Sequence, residues 1–432
     1  MRKKKYLNIA IVGLGNIGLN LYRHLIKNRE SIKKKTNVNL VVKYVSAKNR
    51  SKKRKINIPK KKWLKNYLEA SKHPDIDLVV ELIGGSDGAA KKLVFNSIKN
   101  KKHVVTANKA LISKYGDELA RLAERKKVNL EFEAAVAGGV PIIRVIKEGL
   151  ITNRIYKVCG ILNGTSNYIL SKMFEKNMNF NDVLNDAKRL GYAESNPVAD
   201  LNGDDAKSKI QILSSLAFNS LISRSKINVE GIKNVDQIDI RNAKLLGYKI
   251  KHLAIAELKK NKLIQRVHPC MVANDSYISN INGVLNAIIL EGKPIGRFTI
   301  QGEGAGSGPT TSSLVSDICS VLRGNIKLPF SIPSQSRKKI ISIDISQETF
   351  SSYIRLDVND ITGVLSSITK ILSKNKVSVK RLIQNPFKNR KFASIIIISH
   401  RAKNSNLVKS INELSNKKFI INKPKFFRIE EI

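Results

Sequence analysis

The stretch Leu7-Asn-Ile-Ala-Ile-Val12, followed directly by Gly13-Leu14-Gly15-Asn16-Ile17-Gly18, decides the fold of this chain. Its first half is a strand-sized apolar run, and the residues after Gly18 have the apolar spacing of an amphipathic helix. In such a strand–loop–helix turn, Gly13 permits the tight turn, Gly15 lets backbone approach a pyrophosphate, and Gly18 lets the helix pack closely on the strand. The stretch therefore predicts a dinucleotide-binding unit.

Strand and helix patterns continue to alternate downstream of this unit. Strand-like runs occur at 38–45, 78–82, 103–106 and 128–134, and the intervening segments 89–99 and 109–126 have helical spacing. This rhythm is typical of a parallel, doubly wound sheet. The sequence therefore predicts an α/β protein that begins with a Rossmann-like doubly wound nucleotide domain over residues 1–135.

The remainder of the chain reads as two further domains. Residues 136–301 carry a mixed α/β pattern, which predicts a second domain. Residues 329–347 contain prolines and several serines and predict a linker. Residues 348–432 follow a βαββαβ order, which predicts a small C-terminal ferredoxin-like domain.

The chain is strongly basic, with 78 Lys and Arg against 34 Asp and Glu and a net charge of +44 over 432 residues. The lysines are spread along the whole length, and the aromatic residues, at 6%, do not interleave with them as a stacking platform requires. Specific nucleic-acid binding is therefore not expected, only weak, salt-sensitive association with polyanions. No apolar run has the length of a membrane span, and the three separated cysteines favour a reducing, cytoplasmic location.

Acidic residues cluster in Gly191-Tyr-Ala-Glu-Ser-Asn-Pro-Val-Ala-Asp-Leu-Asn-Gly-Asp-Asp-Ala-Lys-Ser-Lys209. Asp205 and Lys209 are four residues apart and share one face if this segment is helical. A carboxylate beside an amine suits a site that binds a polar amino acid and tunes a proton-transferring lysine. From these residues alone, an acidic loop leading into a surface helix is an equally good interpretation.

Two further positions point to the cofactor. The second strand ends in Ser46-Ala-Lys48-Asn-Arg50, which offers cations and no carboxylate, and so favours the 2′-phosphate of NADP over the free ribose of NAD. A solvated loop explains the same residues about as well. Thr106 and Lys109 lie at the end of another strand, where Lys109 either meets cofactor and substrate or is one more surface lysine.

Several motifs, taken together and in this order, resemble the homoserine dehydrogenase family over nearly the whole chain. They are Gly-Leu-Gly-Asn-Ile-Gly (13–18), Glu81-Leu-Ile-Gly-Gly85, Val104-Val-Thr-Ala-Asn-Lys109, Glu133-Ala-Ala-Val-Ala-Gly-Gly-Val-Pro-Ile142, Gly160-Ile-Leu-Asn-Gly-Thr-Ser-Asn-Tyr-Ile-Leu170, and the stretches 191–209 and 302–308. The segment Asp357-Val-Asn-Asp-Ile-Thr-Gly-Val-Leu365, with Gln384, resembles an ACT domain.

The resemblance implies NAD(P)-dependent interconversion of L-aspartate 4-semialdehyde and L-homoserine, in threonine, methionine and isoleucine biosynthesis. It implies that Lys209 is the general acid/base, that Asp205 holds the substrate or orients Lys209, and that Glu194, Asp200 and Lys109 contact the substrate. The implied cofactor contacts are Gly13, Leu14, Gly15, Asn16, Ile17, Gly18, Lys48, Thr106, Lys109 and Gly304. The resemblance also implies that residues 136–301 are the substrate-binding, catalytic and dimerisation domain. Residues 302–328 are implied to complete the nucleotide domain, with NADP or NAD as cofactor.

The resemblance also implies partners for the chain. Glu133, Val136, Gly138 and Val140 match a loop that binds a monovalent cation such as sodium, and the ACT-like domain would bind threonine as an effector. A homodimer or homotetramer is expected. The chain departs from the family at Lys48-Asn49, where an Arg-Asp pair is usual, and at Asp204, a usually apolar position. A dehydrogenase of another small amino or hydroxy acid, and a catalytically inactive amino-acid sensor, are the alternatives.

Overall fold

The computed structural model describes residues 6–54, 56–225, 227–386 and 391–432, so the basic N-terminal residues 1–5 lie outside the described part. A five-stranded parallel sheet forms the N-terminal part of the fold, in the order β2-β1-β3-β4-β5. Its strands are β1 (Tyr6–Val12), β2 (Asn39–Ser46), β3 (Leu78–Glu81), β4 (His103–Thr106) and β5 (Leu130–Glu131). Its helices are α1 (Asn16–Lys27), α2 (Arg29–Thr36), α3 (Glu69–Lys72), α4 (Ala89–Lys99) and α5 (Lys109–Lys126).

The register of this sheet creates the cleft that the Gly13–Gly18 turn borders. Val12 at the end of β1 pairs with Ser46 of β2 on one side and with Glu81 of β3 on the other, so the three strands end level. Because the chain leaves β1 toward β2 and later returns to β3 on the opposite side, this edge is the topological switch point where open α/β sheets bind ligands. The predicted Rossmann-like parallel sheet is confirmed.

A twelve-stranded sheet forms the rest of the molecule, with the main order β11-β10-β6-β8-β9-β17-β13-β15-β14. Short strands β7 and β12 pair with β9, and β16 pairs with β13. The strands are β6 (Arg154–Ile161), β7 (Asn228–Val229), β8 (Tyr248–Lys259), β9 (Lys262–Ala273), β10 (Leu285–Lys293), β11 (Gly296–Glu303), β12 (Ile341–Ser342), β13 (Thr349–Asn359), β14 (Val379–Pro386), β15 (Phe392–Ser399), β16 (Ala402–Lys403) and β17 (Lys425–Ile429).

Helices cover this sheet and connect it to the first one. They are α6 (Ile142–Arg144), which continues into a π-helical turn over Val145–Gly149, α7 (Gly164–Lys176), α8 (Phe180–Arg189), α9 (Val198–Asn202), α10 (Asp204–Ala217), α11 (Gln237–Leu245), α12 (Ser307–Leu322), α13 (Val364–Lys374) and α14 (Asn404–Ser415). Helix α12 returns to the first sheet, where Leu314 and Ile318 are buried in the same apolar core as Ile9 and Leu21.

The C-terminal elements appear in the predicted βαββαβ order, as β13, α13, β14, β15, α14 and β17, with antiparallel pairing β17-β13-β15-β14. They are continuous with the rest of the molecule, because Arg428 and Ile429 of β17 pair with Cys270 and Met271 of β9. A buried ion pair connects the two parts at this junction, where Arg266 Nε lies 2.7 Å from Glu430 Oε1.

Residues 329–347, the predicted linker, are packed along the molecule, and we call them the strap. The ring of Phe330 is fully buried in the apolar core that contains α5 and α10. Arg337 is buried as well, and β12 within the strap pairs with β9. None of the helices in the described part of the chain combines the length and apolar character that crossing a membrane requires.

Candidate functional site

A cavity of about 640 Å³ lies where the carboxyl edge of the parallel sheet meets α7, α9 and α10. It brings together Lys109, Glu194, Asp200, Asp205 and Lys209, all of which were predicted to act on the substrate. Ile17, Gly138 and Gly304 border the same cavity. The predicted substrate residues therefore share one cavity with parts of three glycine-containing loops.

Asp205 is the centre of this cavity's charge arrangement. Its two carboxylate oxygens each lie 2.7 Å from an ammonium, Oδ1 from Lys109 Nζ and Oδ2 from Lys209 Nζ. Asp205 and Lys209 are buried on the first turns of α10, whereas the side chain of Lys109 is 43% exposed at the start of α5. Lys209 Nζ also donates to the Leu162 carbonyl oxygen at 2.7 Å.

The three groups shift one another's pKa values. Burial is the largest effect on Lys209 and lowers its pKa; the charge of Asp205 opposes this, Lys109 adds to it, and the net pKa lies below the usual value for lysine. Burial also lowers the pKa of Lys109, but the carboxylate of Asp205 outweighs it and the net pKa is raised. Despite burial, Lys209 and Lys109 hold the pKa of Asp205 far below its usual range. Of the two lysines, Lys209 is thus the amine that loses a proton more readily.

Asn163 links the two aspartates and was not singled out from the sequence. Its amide Nδ2 donates to Asp200 Oδ1 at 2.7 Å and to Asp205 Oδ2 at 2.9 Å, while its Oδ1 caps α7 by accepting from Ser166 N–H. Thr165 Oγ1 lies 3.2 Å from the other oxygen of Asp200. The resemblance had included this motif, Gly160–Leu170, so its polar residues were the available signal.

Glu194 differs from the aspartates in being exposed. It lies on the loop between α8 and α9 and lines the cavity. Its carboxylate forms no ion pair with any of the described residues. Its negative charge still reaches Lys109 and raises the pKa of that lysine. A carboxylate placed at the rim in this way is available to a cationic group on a ligand.

The Gly13–Gly18 turn has the geometry of a dinucleotide loop. A Cβ on Gly13, which has φ of 110°, would lie 2.3 Å from the Leu82 carbonyl oxygen, and a Cβ on Gly18 would lie 2.0 Å from the Gly13 carbonyl oxygen. A Cβ on Gly15 would meet nothing within 4 Å. Two glycines are thus required for packing, and the third leaves open space at the N-terminus of α1, where a pyrophosphate is stabilised.

Thr106 holds the neighbouring loop in place through hydrogen bonds of its side chain. It is fully buried, and its hydroxyl donates to Glu81 Oε2 at 2.5 Å and accepts from Asn108 N–H. Glu81 in turn accepts from the N–H groups of Ile83 and Gly84. Asn108 caps α5 by accepting from Leu111 N–H, which fixes where Lys109 begins the helix.

Gly304 and the predicted cation loop touch each other. A Cβ on Gly138 would lie 2.4 Å from the Gly304 carbonyl oxygen, and Gly139 N–H donates to the Glu303 carbonyl at 3.0 Å. Three of the predicted cation ligands already accept a hydrogen bond at their backbone carbonyl oxygens. The carbonyl of Glu133 accepts from Val136 N–H, that of Gly138 from Ser313 Oγ, and that of Val140 from Ile142 N–H. The carboxylate of Glu133 instead accepts from the N–H groups of Ile143 and Arg144.

Lys48 lies apart from the cavity, exposed just beyond the end of β2. Its loop is shaped by Arg54, whose guanidinium donates to the carbonyl oxygens of Asn49, Arg50 and Lys52, and lies 3.5 Å from that of Leu14. Cations therefore surround the end of β2 beside the glycine turn.

Comparison with known proteins follows the same division of the chain. Residues 13–133 match the family model "Homoserine dehydrogenase, NAD binding domain", and residues 141–319 match the model "Homoserine dehydrogenase". A homoserine dehydrogenase of Neisseria gonorrhoeae is 38% identical over 403 residues, which cover 92% of each chain. The chain belongs to the homoserine dehydrogenase family.

Other relatives agree with this assignment. A homoserine dehydrogenase of Helicobacter pylori is 36% identical over 427 residues, covering 99% of this chain and 100% of the relative. The crystal structure of a homoserine dehydrogenase from Thiobacillus denitrificans has a TM-score of 0.91, with 35% identity and full coverage of both chains. The predicted family and enzyme class are therefore confirmed: the protein is an oxidoreductase that acts on a CH–OH group with NAD(P).

Proposed function

We propose that this homoserine dehydrogenase interconverts L-aspartate 4-semialdehyde and L-homoserine with Lys209 as the general acid/base. The observation that supports this most strongly is the placement of Asp205 between two ammonium groups, 2.7 Å from each, in the cavity bordered by the dinucleotide turn. An ammonium has three N–H donors. Those of Lys209 serve Asp205 and the Leu162 carbonyl, and the third is available to a substrate oxygen.

The chemistry divides between the protein and the cofactor. When bound, the nicotinamide accepts the hydride from the alcohol carbon of homoserine, or returns it to the aldehyde carbon. In oxidation, neutral Lys209 takes the hydroxyl proton as the C=O bond forms. In reduction, the Lys209 ammonium gives a proton to the aldehyde oxygen as it gains negative charge. Burial and the charge of Lys109 lower the pKa of Lys209 below the usual value for lysine, which brings the neutral amine closer to reach than in an ordinary lysine.

We propose that the acidic residues bind the amino-acid end of the substrate. Glu194 at the rim would pair with the α-ammonium, and Asp200 would contact it from the cavity wall, where Asn163 and Thr165 fix its carboxylate. Lys109, half-exposed and held by Asp205, would lie between cofactor and substrate. Asp205 would orient both lysines and keep Lys209 from turning away.

For the cofactor, the proposed contacts are Gly13, Leu14, Gly15, Asn16, Ile17 and Gly18, with Lys48, Thr106 and Gly304. The cations around Lys48 favour NADP, since a 2′-phosphate needs positive partners. A hyperthermophilic archaeal homoserine dehydrogenase of the same fold, with 22% identity and a TM-score of 0.62, was solved in complex with NADPH. A contact through Thr106 would use its backbone, because its side chain is bonded to Glu81.

A monovalent cation such as sodium would be held by backbone carbonyls of Glu133, Val136, Gly138 and Val140. Carbonyl oxygens are hard donors that suit such an ion, and each has a second lone pair beyond the hydrogen bond it already accepts. Its contribution would be to stiffen the turn that contacts Gly304.

The decisive experiment compares Lys209→Met with Lys207→Met, a lysine two residues away on the same helix and outside the cavity. Steady-state rates are measured with homoserine and NADP, and with aspartate semialdehyde and NADPH. Lys209→Met should lower kcat by roughly 10²-fold or more, the scale of a lost general acid/base. It should keep cofactor affinity, measured by NADPH fluorescence, and Lys207→Met should behave as wild type. Wild-type rates for Lys209→Met would overturn the assignment.

A regulatory role is proposed for the C-terminal βαββαβ unit, as an ACT domain over residues 348–432 that binds threonine. Its first loop precedes α13, whose N-terminal amides suit a carboxylate, and Asp360 accepts from Gln384 Nε2 at 3.0 Å across that loop. Threonine should inhibit the full-length enzyme, and Asp360→Ala should weaken the inhibition without changing the uninhibited rate. Equal inhibition of both proteins would exclude this loop.

A further inference from the structure

Arg337 of the strap contacts the two helices that carry the lysine pair. Its side chain is completely buried, and one guanidinium nitrogen lies 2.8 Å from Asp117 of α5 and 2.6 Å from the hydroxyl of Ser215 of α10. The guanidinium also donates to the Ser220 carbonyl, in the turn that follows α10. One side chain therefore joins α5 to α10.

Phe330, at the start of the strap, completes this contact. The Arg337 guanidinium lies 3.9 Å from the centre of the Phe330 ring, which is fully buried. A Cβ added to Gly116 of α5 would lie only 3.0 Å from that ring. The strap is therefore packed against α5 without free space, and we call Phe330, Arg337, Asp117 and Ser215 the clamp.

The clamp holds together the same two helices that carry Lys109 and Lys209. Asp117 is eight residues beyond Lys109, about 12 Å along α5, and Ser215 is ten residues beyond Asp205, about 15 Å along α10. The two helices thus begin at the Lys109–Asp205 contact and are joined again by Arg337 farther along. Because each helix is rigid, two contacts between them fix both the separation of α5 and α10 and the angle between them.

We propose that Arg337 is a positioning residue for the dehydrogenase reaction, which sets the separation of α5 and α10 and thereby the distance of Lys109 from Asp205 and Lys209. Loosening the clamp moves α5 relative to α10, and the Lys109–Asp205 ion pair lengthens. Because the charge of Lys109 lowers the pKa of Lys209, moving Lys109 away changes the proton affinity of Lys209. The strap contains β12 and continues into β13, so the C-terminal unit is connected to the same clamp.

This inference rests on the proposed role of Lys209, and its test separates the two. The variants are Arg337→Met, which removes the charge at similar length, Arg337→Lys, which restores a charge without the planar fork, and Phe330→Leu, which loosens the packing alone. Lys339→Met, an exposed residue of the strap, is the matched control. Each full-length protein is checked by circular dichroism, thermal unfolding and NADPH binding stoichiometry, so that rates are expressed per binding-competent site.

We expect Arg337→Met to lower kcat roughly tenfold to hundredfold, because a displacement on the ångström scale costs that much. The KM for NADPH should change little, the pH profile of kcat should shift, and Arg337→Lys should recover part of the rate. Phe330→Leu should give a smaller loss and keeps the test decisive if Arg337→Met does not fold. Folded variants with wild-type kcat and pH profile would overturn the inference. If Lys209→Met remained active instead, the proposed acid/base would fail, whatever Arg337 shows.

Discussion

Lys109 Nζ and Asp205 Oδ1 are 2.7 Å apart and join two distant parts of the chain. Lys109 begins the helix that follows the fourth strand of the nucleotide-binding sheet, whereas Asp205 lies at the start of α10, beneath the second sheet. The contact therefore connects the nucleotide-binding part of the molecule to the part that carries Lys209, the proposed acid/base. It also gives Asp205 two cationic neighbours, so its charge is shared between them.

The Asp205→Asn variant tests the effect of this carboxylate on the two lysines through the pH profile of kcat. The carboxylate raises the pKa of both lysines, so its removal should lower the pKa of Lys209 further. Homoserine oxidation needs the neutral amine, and the acidic limb of its kcat profile should therefore move to lower pH. The rate should also fall by about 10²-fold, since Lys209 is no longer oriented.

The matched control for that experiment is Asp204→Asn, which alters the adjacent exposed carboxylate on the same turn. It should leave both the rate and the pH profile unchanged. An acidic limb that stays in place in Asp205→Asn would show that the proton is handled by a group that Asp205 does not influence.

The glycines of the dinucleotide turn should respond differently to substitution by alanine. A Cβ on Gly18 would overlap the Gly13 carbonyl oxygen, whereas a Cβ on Gly15 would lie in open space. Gly18→Ala should destabilise the fold by about 1–3 kcal/mol. Gly15→Ala should keep the wild-type Tm but weaken NADPH binding about tenfold or more, since its methyl occupies the path of the pyrophosphate. Differential scanning calorimetry and fluorescence titration measure the two effects, and a loss of Tm in Gly15→Ala would contradict this division.

Cofactor choice is tested at Lys48. If this exposed lysine meets the 2′-phosphate, Lys48→Ala should raise the KM for NADPH several-fold and leave the KM for NADH unchanged. Lys27→Ala, an exposed lysine at the end of α1, is the control for a general loss of positive charge. Equal changes with both cofactors would show that Lys48 does not distinguish NADPH from NADH.

The sequence was sufficient for the parallel sheet because its signals are local. A buried parallel strand is a continuous apolar run, and the glycine turn has a fixed spacing, so β1, α1 and their neighbours could be located directly. The continuity of the second sheet could not be predicted. The pairing of β17 with β9 joins residues about 160 positions apart, and its buried partners, Arg266 and Glu430, carry no local pattern.

For the site, the acidic cluster was predictable because Asp205 and Lys209 share a helix face, and the structure does bring them together. The role of Asn163 as a bridge between Asp200 and Asp205 depends on how α7 packs beside α9, which only the folded chain defines. The strap shows the same limit. Its prolines and serines suggested a linker, and the burial of Arg337 follows from the position of Asp117, more than 200 residues earlier.

Stability should depend on pH through Lys251, a buried lysine of β8 outside the cavity. Its ammonium donates to the Ile281 carbonyl at 2.6 Å and to Asn282 Oδ1 at 3.0 Å, and no carboxylate of the described residues forms an ion pair with it. Burial, aided by Lys249, lowers the pKa of Lys251 to about 7. The unfolded chain, with an ordinary lysine pKa, therefore binds more protons than the folded chain between pH 7 and about 10.4.

The free energy of unfolding attributable to Lys251 should accordingly rise across this range, by about 1.4 kcal/mol for each pH unit. Lys251→Met should remove this rise. The mutant should therefore have a higher free energy of unfolding than wild type at pH 7, and this difference should disappear near pH 10. Lys409→Met, an exposed lysine on α14, should retain the wild-type slope. Urea unfolding of the three proteins at pH 7, 8 and 9 measures the slopes. A wild-type slope in Lys251→Met would mean that the folded protein keeps this ammonium charged.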